Sequence, residues 1–509
     1  MAELQKDFLF TLIKSLSKSE KRQFKLYVNR LGINADAKFL LLFGAMDKMV
    51  QYNEEEILEQ KITTKQQISN LKAHLYRQIL ISLRMNPINQ NNRILIREQL
   101  DFATILYNKG LYKQSLKLLD KTKQMALELE EKNIAYEIVE LEKVIESQYI
   151  TRSIKSRADD LIREAKEISR LNVLASKLSN LSLKLYSVML SNGYAKNEEE
   201  QQEILLFFDQ ELPHFQLNDL GFREKLWYFK AQVWKNLLVQ NYEFAYKYAL
   251  SWTQLFYDFP EMISSNPVWF IKGNNYLLTS LFLMRDSVRF EQWLNEFEKK
   301  VQEDDFPRNG NTDALVFINL YNAKMNAKFL SGDFEDAQHL VDEILSHKEF
   351  HDDKIDEHHI LILYFKIAAT YFGCEDYKNC LNFTDKVIHY KSSSVREDLY
   401  FYSRILSMMA MMDSDLDEDY DEFLSQTSKF YKRMSQPTKI QKMTIDFFED
   451  IRNVYPSEQR KQYQRFLDEI NRDSKNSFNK RNYVYLDLAS WLQAKLENKK
   501  VSEVIKERL

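Results

Sequence analysis

The sequence predicts an all-α protein: a superhelix of helical hairpins, an α-solenoid, preceded by a small N-terminal helical bundle. Three observations carry this reading. Nine glycines and seven prolines in 509 residues leave little material for β-turns or disordered linkers, and favour long helices joined by short polar corners. The stretch 106–126, LYNKGLYKQSLKLLDKTKQMA, reads as an amphipathic segment ending at Tyr107, a corner at Gly110, and a second segment opening on Tyr112 with a small residue, Ser115, three places on. That pattern then recurs down the chain at an interval of about 42–48 residues.

The first ninety residues form the predicted bundle. Phe8, Leu9, Leu12, Ile13 and Leu16 keep a helical period, and Ser17 to Glu20 reads as a capping box opening a helix with Phe24, Tyr27, Val28 and Leu31. A third helix is expected over 37–52, and a long one over 66–85 after the acidic turn 53–56. Pro87 and the Asn/Gln-rich run 86–92 close the domain near residue 90. Residues 1–97 hold 16 Lys+Arg against 9 Asp+Glu, a net of +7, which leaves −11 for the rest of a chain whose total is −4. Between Lys61 and Arg97 there are seven basic residues and no acid. Lys72, Arg77, Arg84, Arg93 and Arg97 are therefore the candidate cations for a nucleic-acid backbone. The competing reading is a solvated face, or one turned onto the acidic array that follows, and no groove-reading motif accompanies the charge.

The repeat array is expected over 93–509. Its strongest anchors are Tyr112/Ser115, Tyr242/Ala245, Phe334/Ala337 and Tyr377/Cys380, each an aromatic followed three residues later by a small side chain. Weaker anchors fill the gaps: Ile154 before a helix at 158–168, Tyr194 to Asn197 before 204–208, Phe290 with Trp293, Tyr420/Phe423 and Tyr463/Phe466. The final helices are expected at 483–496 and 501–509. Each hairpin buries only part of its apolar face, so stability comes from stacking on neighbours and the product is a long binding surface.

Tyr364, Ile367, Ala368 and Tyr371, followed by Tyr377, Cys380 and Val387, resemble the tetratricopeptide repeat family, with a longer period than that family's 34 residues. Met325 stands where the preceding unit would have a small residue, and no proline closes the Tyr377 unit. The resemblance implies a concave surface that binds proteins or peptides. Within it, the aromatic-rich stretch 227–269 is the candidate partner site, with Trp227, Tyr228, Trp234, Tyr246, Trp252 and Trp269 as anchors, since Trp and Tyr dominate interface energetics. Core packing of thick helices is the competing account of the same residues.

Chemistry has little to stand on. The nearest two glycines are Gly32 and Gly44, which excludes the glycine-rich phosphate loops and the nucleophile elbow. His347 and His351 lie one turn apart, but zinc needs further ligands that the segment does not offer. Cys374 and Cys380 suit core packing rather than a disulfide framework. The alternating Asp413, Asp415, Asp417, Asp419 and Asp421 have Glu418 where a calcium loop needs glycine, and Leu424 where it needs glutamate. No cofactor or metal is implied. No apolar run is long enough to span a bilayer, the opening residues lack the order of a signal peptide, and two thiols point to the cytoplasm. The expectation is a non-enzymatic scaffold or adaptor holding a protein or peptide partner. The second reading is a nucleic-acid-binding regulator that uses the basic bundle, with the repeats as its sensor.

Overall fold

The computed structural model describes residues 7–30, 38–86, 91–148, 156–351, 355–390, 397–414, 420–435, 437–474 and 486–508. Among these residues every regular element is a helix. The chain divides into two compact units, 1–165 and 166–509.

In the first unit, α1 (Phe8–Ser15), α2 (Lys18–Arg30), α3 (Lys38–Lys48), α4 (Glu54–Glu59) and α5 (Ile68–Met85) close around Leu9, Ile13, Phe24, Phe43, Leu75 and Ile79. The capping box is formed: the Glu20 amide donates to Ser17 Oγ at 3.2 Å, and the Ser17 amide donates to Glu20 Oε2 at 2.8 Å. The third helix stops four residues short of the expected 52. Asn53 takes the next two orphan amides, those of Glu55 and Glu56, and starts α4. The expected boundary at Pro87 lies outside the described residues. The unit continues with α6 (Asn92–Asn108), α7 (Tyr112–Glu128), α8 (Lys132–Gln148) and the opening residues of α9 (Arg157–Asn192).

The expected break after residue 168 is absent. The helix α9 runs for 36 residues, because nothing between 157 and 192 stops it: the stretch contains neither glycine nor proline. Ile154, the anchor proposed for that unit, lies outside the described residues.

The second unit takes in the remainder of α9 and then α10 (Glu198–Glu211), α11 (Phe222–Leu238), α12 (Tyr242–Asp258), α13 (Glu261–Ser265), α14 (Pro267–Leu283) and α15 (Ser287–Gln302). It goes on with α16 (Gly310–Ser331), α17 (Phe334–Ser346), α18 (Glu357–Gly373), α19 (Tyr377–Ile388), α20 (Glu397–Asp413) and α21 (Tyr420–Tyr431). It ends with α22 (Lys439–Arg452), α23 (Pro456–Asp473), α24 (Leu488–Glu497) and α25 (Val501–Lys506). Neighbours in sequence pack as hairpins, and α14 also packs on α12 and α16, as α18 does on α20. Each hairpin thus leans on the next, as a stacked array requires.

The hairpins share one corner. Gly110, Gln240, Arg285, Gly332 and Glu375 all adopt positive φ. The amide two residues past the last helical turn closes back across each of them: Leu111 to Leu106, Asn241 to Asn236, Asp286 to Leu281, Asp333 to Lys328 and Asp376 to Tyr371, at 2.8–3.1 Å. These are left-handed C-caps of the Schellman type. At four of the corners the next residue is Asn or Asp, and the second helix opens immediately after it, at Tyr242, Ser287, Phe334 and Tyr377. Only two of these corners carry the glycine that would announce them in sequence. The others tolerate a side chain at φ 56–62° at modest strain.

That corner corrects two anchors. The second helix of its hairpin opens at Ser287, so Phe290 stands where the small residue was sought. It is fully buried in the core, and Trp293 packs against that core from a partly exposed position. Likewise α23 opens on Pro456, pre-set for the first helical turn, and Tyr463 lies inside it.

The C-terminal segment returns across the corners of three successive hairpins. Lys500 pairs with Glu375 at 2.7 Å, Lys506 with Asp333 at 2.8 Å, and Asp487 lies 3.8 Å from Arg285. A β-carbon on Gly332 would meet the Ser502 carbonyl at 3.0 Å and Ile505 at 3.1 Å. Gly332→Val should therefore lift α25 off α16, read as faster amide exchange across 500–508, with loss of about 1–3 kcal/mol from combined overpacking and left-handed strain. Unchanged exchange would show that the fit is loose.

Candidate functional site: a polarised cleft in the second unit

The second unit holds a cleft of about 2030 Å³, well beyond the 300–1,000 Å³ of an ordinary small-molecule pocket. Its walls come from the first helices of successive hairpins, α11, α14, α16, α18 and α20, together with the end of α9 and the returning C-terminal segment. First helices face inward because the second helices fill the spaces between them on the other side. The lining alternates aromatic and aliphatic groups (Trp234, Tyr276, Leu315, Phe329, Ile362, Phe365) with the amides Asn275, Asn319 and Asn326.

Charge is distributed unevenly along it. The lining residues between 183 and 334 include Lys196, Lys230, Lys272 and Arg285 and no carboxylate; those after 334 include Asp356, Glu397, Asp398 and Asp487 together with Lys366, Lys439 and Arg508, and Asp487 reaches back to within 3.8 Å of Arg285. Lys230 Nζ sits 4.8 Å from the Trp227 ring centroid and 4.5 Å from that of Trp269, and Lys272 Nζ is 5.4 Å from Trp269 as well. Two ammonium groups therefore share one indole. Burial, and then the neighbouring Lys272, push the Lys230 amine down to about 8. Farther along, Lys366 Nζ donates to Asn326 Oδ1 at 2.7 Å and to the Asn322 carbonyl at 3.1 Å. It is hemmed in by protein with only a partial opening to the cleft, and burial alone lowers its amine to about 7.

A lysine held this way costs stability. In the unfolded chain it titrates near 10.4, so between about pH 7 and 10 the folded state has shed a proton that the unfolded chain still binds. Stability rises with pH across that window and gains nothing further above it. Lys366→Met should stabilise the unit at pH 6–7 by about 1–2 kcal/mol, and should flatten that rise in urea-melt midpoints taken from pH 6 to 10. A destabilised Met variant would mean that the amide partners of Lys366 outweigh its desolvation.

The six aromatic anchors divide. Trp252 is fully buried core. Trp234 is 5% exposed yet lines the cleft, edge-on to Tyr186 at 5.1 Å and Tyr276 at 5.3 Å. Trp227 and Trp269 meet edge to face at 5.0 Å beside Lys230, and Trp269 lies 6.5 Å from Trp252. Tyr228 packs against Phe215 and Tyr248. Tyr246 stands apart from this group under the Arg289 guanidinium at 4.8 Å. The anchors are thus mostly a structural belt; Trp234 lines the cleft, and Trp227 and Trp269 flank its lining residue Lys230.

Sequence reasoning passed over Lys230, Lys272 and Lys366. A signal was present for two of them: Trp227/Lys230 and Trp269/Lys272 are both Trp-x-x-Lys, 42 residues apart, opening on the second turn of α11 and the first turn of α14. Trp234 and Tyr276 share the same interval.

Four of the five candidate cations of the first unit pair with carboxylates. Lys72 meets Asp7 at 2.5 Å and Tyr52 Oη at 2.8 Å; Arg84 meets Asp101 at 3.1 Å, Arg93 meets Glu131 at 2.8 Å, and Arg97 meets Glu137 at 3.5 Å. Arg77 is exposed. Their carboxylate partners include Asp101 of α6 and Glu137 of α8.

Among the remaining candidates, His347 stacks on Phe317 at 4.5 Å, and His359 Nδ1 lies 2.7 Å from Asp356. Cys380 is buried, and the Cys374 thiol donates to the Phe334 carbonyl at 3.2 Å. Asp413 pairs with Lys495 at 2.5 Å and accepts from Trp491 Nε1 at 3.1 Å; Asp415, Asp417 and Asp419 lie outside the described residues. Among the described residues no three His, Cys, Asp or Glu side chains form a metal-binding group, and no helix is long and apolar enough to cross a membrane. Comparison with protein-family models, curated proteins and solved structures gives no significant match.

Proposed function

We propose that the protein is a non-enzymatic scaffold or adaptor, a diverged tetratricopeptide-like array, and that it holds an extended protein or peptide segment in the cleft of residues 166–509. The observation that carries this reading is the cleft itself. It is too large for a metabolite, it is lined by successive hairpins, and it alternates apolar surface with the amides Asn275, Asn319 and Asn326. Amide side chains both donate and accept, which suits a peptide backbone. The free thiols of Cys374 and Cys380 support a reducing, cytoplasmic setting.

Selection of a displayed random 12-residue peptide library on the immobilised full-length chain tests the reading. Enriched peptides should lose about tenfold or more in affinity for Asn319→Ala and Leu315→Glu variants that keep the wild-type melting midpoint. Enrichment no better than on a blank surface, or peptides indifferent to both substitutions, would overturn it.

A further inference from the structure

We propose that the ligand of this cleft is an acidic peptide, an extended segment that sets one carboxylate between Lys230 and Lys272 beside Trp269 and another on Lys366. The inference rests on the peptide-binding reading and gives it a chemistry and a direction.

Lys230 and Lys272 have no carboxylate partner among the described residues, and Lys272 is close enough to disfavour the charge on Lys230. Elsewhere in the same unit the cations of the hairpin corners and C-terminal segment find acids within 4 Å, as Lys328, Lys495, Lys500 and Lys506 do. Two cations on one ring, with no carboxylate partner among the described residues, form a site whose missing component is an anion. A carboxylate would relieve both the mutual repulsion and the desolvation of Lys230, and charge-assisted bonds to it are the strong kind.

The spacing sets the ligand's length. Packed helices lie about 8–10 Å apart, so Lys272 on α14 and Lys366 on α18, with α16 between them, stand roughly 20 Å apart. An extended chain covers that in about six residues at ~3.3 Å each. The amides of Asn275 and Asn319 lie along the way. A peptide is favoured over a nucleic acid because the carboxylates Asp356, Glu397 and Asp398 also line the cleft. They would repel a backbone charged at every step, yet accommodate a peptide that is acidic at one end only.

Fluorescence anisotropy on the full-length protein tests this with three labelled 12-residue peptide pools. The pools are identical except for Glu, Gln or Lys at two positions six apart, and a 12-nucleotide single-stranded DNA serves as competitor. The Glu pool should bind about tenfold or more tighter than the Gln pool. In K230Q/K272Q that preference should fall several-fold, to what Lys366 alone supports, while the melting midpoint stays at the wild-type value; an undiminished preference overturns the Lys230–Lys272 site. Equal binding of the Glu and Gln pools overturns the acidic-ligand inference and leaves the peptide reading standing. Binding by none of the pools overturns the peptide reading, and this inference with it. Displacement of the Glu pool by an equal concentration of the oligonucleotide overturns the choice of a peptide as the anion.

Discussion

Lys123→Met should destabilise the first unit by about 3–5 kcal/mol, the usual cost of leaving one partner of a buried ion pair behind. Lys123 Nζ lies 2.8 Å from Glu142 and 2.7 Å from Glu164, with side chains 8%, 1% and 37% exposed in that order; Arg157 supports Glu142 at 3.0 Å. Burial works against the lysine's charge, but hydrogen bonds to Glu142 and Glu164 outweigh it and hold the amine above its ordinary range. For Glu142 burial wins, and its carboxyl is raised despite the neighbouring cations. The carboxylate is thus only just compensated, and removing Lys123 tips it. The stabilisation that Lys123 provides is complete below its unfolded pKa and is lost as pH rises through the higher folded value, so alkali should shrink the difference between Lys123→Met and wild type. Replacing both partners, as in Lys123→Met with Glu142→Leu, should recover most of the loss, since packed apolar groups match or exceed a buried pair. Because the chain has two units, local amide exchange across α7 and α8 is the readout, not a global melt. A single substitution costing less than about 1 kcal/mol would show that the pair is solvated.

Gly373→Ala should cost about 3 kcal/mol, near the upper end for overpacking. Gly373 ends α18, and a β-carbon there would lie 2.3 Å from Phe334 ring atoms. The ring has nowhere to go: Phe334 is 8% exposed and packs on Phe329 at 6.0 Å. The contrast is Gly44, inside α3, where an added β-carbon meets nothing within 4 Å. Gly44→Ala should be neutral or stabilising by up to about 1 kcal/mol, through helix propensity and a less flexible unfolded chain. Amide exchange should speed up across α17 and α18 in Gly373→Ala, and stay level or slow across α3 in Gly44→Ala. If Gly373→Ala exchanges like wild type, then the α17–α18 contact is adjustable and the hairpin stack is looser than its geometry implies.

Much of this architecture was legible because hairpin stacking repeats its demands. Tyr112, Tyr242, Phe334, Tyr377 and Tyr420 are the first residues of α7, α12, α17, α19 and α21, each an aromatic seated where a second helix starts down its partner. The Ser17–Glu20 cap was readable because both ends of that bond lie within four residues. The corners at Gln240, Arg285 and Glu375 were not, because a non-glycine residue in the left-handed region gives no compositional signal. The unbroken α9 escaped for the opposite reason: a period argues for a corner, but only local residues can make one.

The candidate site was half legible. The aromatic stretch 227–269 does border the cleft, but composition cannot tell Trp252, a core filler, from Trp234, which faces open space. Nor could it show that Lys72 was committed to Asp7, sixty-five positions earlier. By itself the sequence determined the helical class, most hairpin starts and the charge asymmetry, since these follow from propensity, periodicity and counting. Only the tertiary structure decided which cations are spent and which are left over. Pairing depends on distances between helices far apart in the chain, and among the described residues it gives Lys230, Lys272 and Lys366, which line one cleft, no carboxylate partner.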